Sequence, residues 1–502
     1  MSGDLRARAV AAFEAARATV APRPVHDALT EHLTRLTEPM RVALVGRVSS
    51  GKSTLANALL GGDLAPTGVE ELTFNVNWLS HGPRRELTVH FTDGRPPSRR
   101  DPDELTALTV RARDGDQEHQ RLLRAIDYLR VTDPNPYLRS FDLIDTPGLD
   151  SVFHADSQNT LRFLGRTGDD VRAESAAHAR KADALIVVFA RGLAANEDEM
   201  LSDFVGPDFG GGGPITTVAA LTKVELSWPQ AADPMAEGRR LAERVMSAPG
   251  ARRLLFDVRP VASLVGSAAA TFTTDEYADL VALAEVEPDI LEKRVRRGPY
   301  FATRDYDDLP LDAGRRAALL RRFGQYGIVL ACSLLRDGID TEELLRTELT
   351  ARSGMTGLKR LLVDHFGNRG DLIKLRGALD QAYQLGSTLD LRDTMSPLLT
   401  LEQDEHAFAE LRVLRHYYDG GLTFTAEDAA DLLRVTGEYG TTAADRLGLP
   451  SGTPPDRLAE AARERLAEWA ERDLDPSYAG RSRRAVQVVR RSYERLATQL
   501  RA

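Results

Sequence analysis

The pattern Gly46-x-x-x-x-Gly51-Lys52-Ser53 sets two glycines, a lysine and a hydroxyl at the spacing of a phosphate-binding loop. Glycines let a backbone wrap closely around an anion, while successive N–H groups and a helix N-terminus supply positive potential. In that arrangement Lys52 reaches the β- and γ-phosphates of a nucleotide, and Ser53 offers its hydroxyl to Mg2+. Gly46, Val48, Ser49, Ser50, Gly51, Lys52, Ser53 and Thr54 are the expected contacts to the bound nucleotide. Downstream, Asp145-Thr146-Pro147-Gly148 follows an apolar run. A carboxylate at a strand end can hold Mg2+ through a water, and the Gly148 N–H is expected to meet the γ-phosphate. Alone this tetrapeptide is an ordinary turn; after a loop lysine it marks a nucleotide-dependent switch.

Two further elements complete such a site. GTPases order a threonine between the two motifs through Mg2+ and the γ-phosphate. Thr73 is the first choice and Thr67 its competitor, within 66–73. Base recognition is expected at Thr222-Lys223-Val224-Glu225, at the end of an apolar run. The usual pattern there is Asn/Thr-Lys-x-Asp, whose carboxylate accepts from the guanine amino and ring N–H groups. Glu225 is one methylene longer, so the choice of guanine over adenine rests on a displaced carboxylate. Ala262 and Ser263, after the next run, are expected at the base edge. GTP or GDP with Mg2+ is the implied ligand set.

These residues need strands and helices to hold them. The run 41–45 reads as a strand feeding the glycine loop, and 53–60 as the helix that follows, stopped by Gly61 and Gly62. Further strands are expected at 86–91, 141–144, 184–189, 215–221 and 260–265. The last four are nearly continuous apolar runs, as in parallel strands covered on both faces. Amphipathic stretches at 173–181 and 197–204 lie between them, and glycines 210–213 lead into the fifth strand. Together 41–265 reads as an α/β domain with a mostly parallel sheet. Before it, Val25, Leu29, Leu33 and Leu36 recur at helical spacing until Pro39. After 266 strand signals cease. A polar and aromatic stretch, 271–310, reads as a connecting region interrupted by the basic cluster 293–297. Helical periodicity then runs to the C-terminus, as in Leu458, Ala462, Leu466 and Trp469, or Val486, Val489, Tyr493, Leu496 and Leu500. The fold class is a nucleotide-binding α/β head on an all-helical body.

Composition narrows the setting. At 502 residues the chain exceeds one compact domain. Hydrophobic residues at 42% and charged residues at 28% suit a soluble globular protein. No window approaches the roughly 20 apolar residues that span a bilayer. The single cysteine, Cys332, leaves no partner for an internal disulfide and fits a reducing cytoplasm, where it reads as a core residue. A net charge of −10 argues against a dedicated nucleic-acid binder.

The loop 46–54, the phrase Ala65-Pro66-Thr67-Gly68 and the stretch 145–150 resemble bacterial dynamin-like proteins, in particular the short actinobacterial type related to the mycobacterial isoniazid-inducible proteins. The segment 353–367 is also similar to theirs. The resemblance is tight over 41–265, moderate over 310–380 and weak beyond. It implies neck helices in 1–40, a GTPase domain in 41–265, a connecting loop region in 266–310, neck and trunk helices in 311–380, and trunk helices in 381–502 that return to the neck. It also implies head-to-head dimers on nucleotide, with itself or a second dynamin-like chain. Hydrolysis of GTP then needs no separate activator, and the protein tethers or reshapes the inner face of the cell membrane, in cell division or membrane stress. Eukaryotic dynamins usually carry a water-placing glutamine at the position of Val48. Valine cannot place water, so backbone groups or Thr73 must do so, or hydrolysis is slow. Among catalytic candidates beside Lys52, Ser49 compensates developing charge. Arg47 is a charge-stabilising finger, in cis or across a dimer, or else a solvated loop arginine.

Membrane contact is expected at an apolar or basic segment. The cluster 293–297 with Tyr300 and Phe301, and the leucines of 395–401, are the two candidates, each with a bland alternative: a solvated charge run and a buried loop. Anionic lipids are the expected partner surface. The competing reading is a nucleotide-switched scaffold with slow hydrolysis and no direct lipid contact.

Overall fold

The computed structural model describes residues 3–20, 23–47, 49–62, 64–65, 75–109, 117–146, 182–190, 213–388 and 395–501. Val48, Thr67, Thr73, Gly148, the amphipathic stretch 197–204, glycines 210–212 and all of 173–181 lie outside the described residues.

A nine-stranded sheet forms the head: β1 Met40–Val45, β2 Val76–His81, β3 Glu86–Phe91, β4 Ser98–Arg100, β5 Ile126–Asp133, β6 Phe141–Asp145, β7 Ala184–Ala190, β8 Thr217–Thr222 and β9 Val258–Pro260. Their order is β4-β3-β5-β2-β6-β1-β7-β8-β9. β1 runs parallel to both β6 and β7, and β7–β8, β8–β9 and β2–β5 are also parallel. The pairs β2–β6, β3–β4 and β3–β5 are antiparallel. Alternate side chains of the central strands enter different cores. Ala43 and Val45 face one layer while Val42 and Leu44 face the other, which is why these strands are apolar throughout.

Three expectations change. The strand predicted at 260–265 is instead Val258–Pro260, followed by the helix Ser263–Thr271. A short apolar run does not distinguish a buried strand from a buried helix. Here the Ala262 N–H leaves the sheet for the Ser353 carbonyl at 2.9 Å. The connecting region predicted over 266–310 is mostly helical: Thr274–Ala284, Pro288–Val295 and Pro299–Thr303 follow. Thr273 with Glu276 forms a capping box, and Glu287 caps a helix that opens on Pro288. Finally, Ala313–Arg336 and Glu342–Arg352, expected in the neck or trunk, share the sheet's own core. Leu319, Phe323, Ile328, Leu345 and Leu349 are buried there with Val45, Val187 and Leu221. Cys332 belongs to that core too, fully buried.

The helical body has a separate core. Gly3–Thr19 and Arg23–Thr37 contribute Phe13, Val25 and Leu29, which cluster with Phe408, Trp469, Val489 and Tyr493 from the far end of the sequence. The candidate leucines of 395–401 belong here: Leu398 and Leu401 are buried on the helix Ser396–Asp404, leaving Leu399 as the exposed one. Arg35 anchors the body to the sheet by pairing with Asp183 at 2.6 Å, and the same carboxylate accepts the Arg41 N–H at 2.8 Å.

A second joint lies at the π-helical turn Leu362–Gly367. His365 stacks on Phe256 with ring centroids 3.8 Å apart, while its Nε2 lies 3.0 Å from the Ile215 carbonyl oxygen. Its Nδ1 lies 3.2 Å from Glu438 Oε1. Arg369 pairs with the same carboxylate, and the Tyr418 hydroxyl donates to it at 2.8 Å. Burial alone would raise the Glu438 pKa; the His365 hydrogen bond and the Arg369 charge outweigh it and bring it to about 2.

Glu438→Ala strands a buried guanidinium and should cost about 3–5 kcal/mol, read as a lower apparent melting temperature at neutral pH. Because the folded pKa is depressed, this stabilisation is complete above the ordinary value of 4.5 and fades as pH falls toward about 2. The gap between wild type and variant should therefore narrow in melts below pH 4.5. A gap that stays constant to pH 3 would rule out the carboxylate's charge as the cause.

Candidate functional site

β1 runs into the loop 46–51, and the helix Lys52–Leu60 leaves it. Space, not flexibility alone, dictates the first glycine: a Cβ on Gly46 would lie 2.2 Å from the Val188 carbonyl oxygen of β7. Gly51 has φ +94° and Ser49 φ +59°, so two left-handed residues curl the loop. The Thr222 hydroxyl at the end of β8 sits 2.5 Å from the Ser50 carbonyl oxygen and 3.1 Å from that of Phe189. It ties the loop's underside to two neighbouring strands. Lys52 is buried, and its ammonium donates to the Gly46 and Arg47 carbonyls at 3.1 and 3.0 Å. These two carbonyls hold the cation inside the loop, and an anion offers a stronger, charge-assisted alternative to them.

Ser53, on the first turn of the helix, donates to Asp145 Oδ2 at 2.8 Å. Asp145 is fully buried at the end of β6, and its Oδ1 has no hydrogen-bond partner. Burial raises its pKa to about 6, against the opposing effects of the Lys52 charge and the Ser53 hydrogen bond. An orphaned carboxylate oxygen beside a hydroxyl is a hard-oxygen donor set that fits Mg2+. Thr146 turns away and donates to the Leu44 carbonyl at 2.7 Å.

At the other end, Lys223 adopts φ +57° and turns the chain into a short 3-10 segment, Val224–Ser227. Glu225 is 7% exposed. Its carboxylate accepts the backbone N–H groups of Glu225 itself and of Leu264, on the first turn of the helix Ser263–Thr271. Oε2 has no partner, and neither has the Oγ of Ser263, itself 3% exposed. Burial lifts the Glu225 pKa to about 7, more than the two backbone bonds and Lys223 lower it. The longer glutamate therefore reaches the neighbouring helix with one oxygen and keeps the other uncommitted. The Ala262 N–H is already spent on Ser353, so Ser263 is the one of that pair with a polar atom to offer.

The structure brings Gly46, Ser50, Gly51, Lys52, Ser53, Asp145 and Thr222 into one loop-centred cluster, and Lys223, Glu225 and Ser263 to the ends of β8 and β9. Arg47 is half-buried, Ser49 exposed, and Thr54 half-buried on the first helical turn. Two asparagines were missed. Asn57 accepts the Leu64 and Ala65 N–H groups at 2.9 and 2.7 Å and donates to the Ala65 carbonyl, fastening the chain just before the segment 66–73. Asn77 stands opposite Asp145 in the β2–β6 register, buried and bonded to Thr109. A polar amide inside an otherwise apolar run was the available signal for both.

The description "Dynamin family" matches residues 42–202. The isoniazid-induced protein IniC of Mycobacterium tuberculosis is 31% identical over 479 residues, covering 93% of this chain and 92% of that protein. Dynamin-like protein 2 of Campylobacter jejuni is 33% identical over 140 residues, 28% of this chain and 21% of its own. A solved structure described as an oligomerised bacterial dynamin pair, with a mechanism for long-range sensing and tethering of membranes, covers 100% of this chain and 91% of its own at 12% identity and a TM-score of 0.35.

Gly46→Ala should weaken guanine-nucleotide binding at least about tenfold, or about 1.4 kcal/mol, because the methyl group has no place beside the Val188 carbonyl. Titration with a fluorescent GDP analogue reads this. The same titration tests Glu225. Only its ionised form accepts from the base N–H groups, so affinity should rise about tenfold from pH 6 to 8 around a midpoint of about 7. Glu225→Gln should flatten that rise, leaving whatever slope Asp145 contributes near pH 6. An unchanged slope in the variant would exclude Glu225 as the titrating group.

Proposed function

Because this chain belongs to the bacterial dynamin-like family, we propose that its loop-centred cluster binds GTP with Mg2+ and that the nucleotide state governs a head dimer acting on the cytoplasmic membrane. The enzyme hydrolyses GTP. The observation that carries the assignment of the site is the hydrogen bond from half-buried Ser53 to buried Asp145, beneath a loop that already holds the Lys52 ammonium.

Lys52 exchanges the Gly46 and Arg47 carbonyl acceptors for β- and γ-phosphate oxygens. Loop N–H groups and the N-terminus of Lys52–Leu60 hold the remaining phosphate charge. Ser53 and Asp145 hold Mg2+, which neutralises charge on the β- and γ-phosphates when bound. Glu225 Oε2 accepts from guanine, and Ser263 Oγ, likewise without a partner, is assigned as a second contact to the base. Gly148 and Thr73, with Thr67 as the alternative, are assigned to the γ-phosphate. Val48 leaves the placement of water to the backbone and Thr73, so turnover is slow until a second head adds to the site. Ser49 and Arg47 are assigned to charge developing on the phosphates, with Arg47 acting in cis or across the dimer. No helix of the described residues is long and apolar enough to cross a membrane, and the contact proposed here is a peripheral one.

Two observations favour the scaffold reading, the first being that Leu398 and Leu401 of the apolar candidate segment face the body core. Arg294 and Arg296 of the basic candidate are likewise paired with Asp308 and Glu292, and Phe301 is buried.

GTP turnover measured with and without anionic liposomes, followed by sedimentation, separates the two. The membrane reading expects stimulated turnover and GTP-dependent pelleting, with ATP failing to compete and Lys52→Ala losing binding. Protein left in the supernatant in every nucleotide state would leave only the scaffold.

A further inference from the structure

The C-terminal helix Gly480–Gln499 carries six arginines and one glutamate in a chain whose net charge is −10. Its buried face is formed by Ser482, Val486, Val489, Tyr493 and Leu496. At about 100° per residue, Arg484, Arg491 and Arg495 fall on one ridge, with Arg481 beside it, on the side of the helix opposite those residues. The ridge spans about 16 Å from Arg484 to Arg495 at 1.5 Å per residue.

These cations are poorly compensated. Arg481, Arg484 and Arg491 are exposed and make no ion pair among the described residues. Arg495 has Glu405 at a distant 3.9 Å. Elsewhere the surface arginines are commonly paired, as at 294 and 296. Clustered like charge repels itself and persists where something anionic offsets it. The helix just before this one ends at Leu474, 83% exposed and the most exposed large apolar side chain of those described. The hairpin therefore carries a basic ridge on its second helix and a protruding leucine at the end of its first.

Resting on the membrane reading above, we propose that the outward ridge of Gly480–Gln499, with Leu474, is the surface that adsorbs to anionic lipid headgroups. Guanidinium groups bind phosphodiesters in a planar, bidentate manner, and a leucine at the headgroup boundary adds apolar contact. No aromatic side chain stands on the ridge to stack on bases, which favours a lipid surface over single-stranded nucleic acid. The contact lies along the flank of the body, distinct from both segments singled out in the sequence.

The test is co-sedimentation of the full chain with phosphatidylglycerol-containing vesicles at low salt. Each basic side chain near such a surface contributes about fivefold in affinity, equivalent to about 1 kcal/mol. Arg484→Glu/Arg491→Glu should lower vesicle binding at least about tenfold and leave vesicle-free GTP turnover unchanged. The matching Lys/Lys variant should keep binding, and raised salt should release the wild type. Neutral phosphatidylcholine vesicles should not pellet it. A charge-reversed variant that pellets like wild type would overturn this surface while leaving the membrane reading in place. Failure of the wild type to pellet with any vesicle would overturn both.

Discussion

Gly46 approaches the Val188 carbonyl so closely that no side chain fits between them, and the rest of the site is arranged around that contact. β1 can deliver the loop onto the end of β7 only with a bare backbone there. Once the loop is seated, Thr222 reaches its underside from β8, and Ser53 meets Asp145 from β6. Parallel pairing of β1 with both β6 and β7 brings these strand ends to one edge. An anion site made of backbone groups is only as rigid as the strands behind it.

Charge is placed where water is scarce. Asp145 and Glu225 both sit nearly out of solvent with an oxygen unpartnered, and both are pushed toward the neutral form. Burying such groups without a full set of partners costs stability, and perturbed carboxylates of this kind are candidates for binding. Glu438 is the opposite case. Buried to a similar degree, it is fully paired, and its pKa falls instead of rising. The first two carboxylates are the ones proposed to meet a ligand; the third joins the head to the helical body through His365 and Arg369.

Much of the head was legible because parallel strands covered on both faces are apolar without interruption. β1, β6, β7 and β8 announced themselves that way. β2 and β5 did not, since polar side chains interrupt them: Asn77 accepts from the Thr109 hydroxyl, and Ser80 accepts from Arg130. The helix Ser263–Thr271 was misread as strand because it too is buried on most sides. The helices between 274 and 303 were hidden by polar composition, although their caps, Thr273 with Glu276 and Glu287 with Pro288, were written in the chain.

By itself the sequence determined the chemistry of the loop, since glycine, lysine and serine at that spacing serve backbone anion binding by local geometry. It also placed a carboxylate at the end of one apolar strand and a glutamate just after another. Only the tertiary structure decided which way these groups face. Glu225 bonds the Leu264 N–H across 39 positions of sequence, and Leu398 turns inward because the first helices of the chain cover it. The arginines of the last helix form a ridge because Val486, Val489 and Leu496 bury its opposite side. Periodicity names a face, but what packs against that face is set by residues hundreds of positions away.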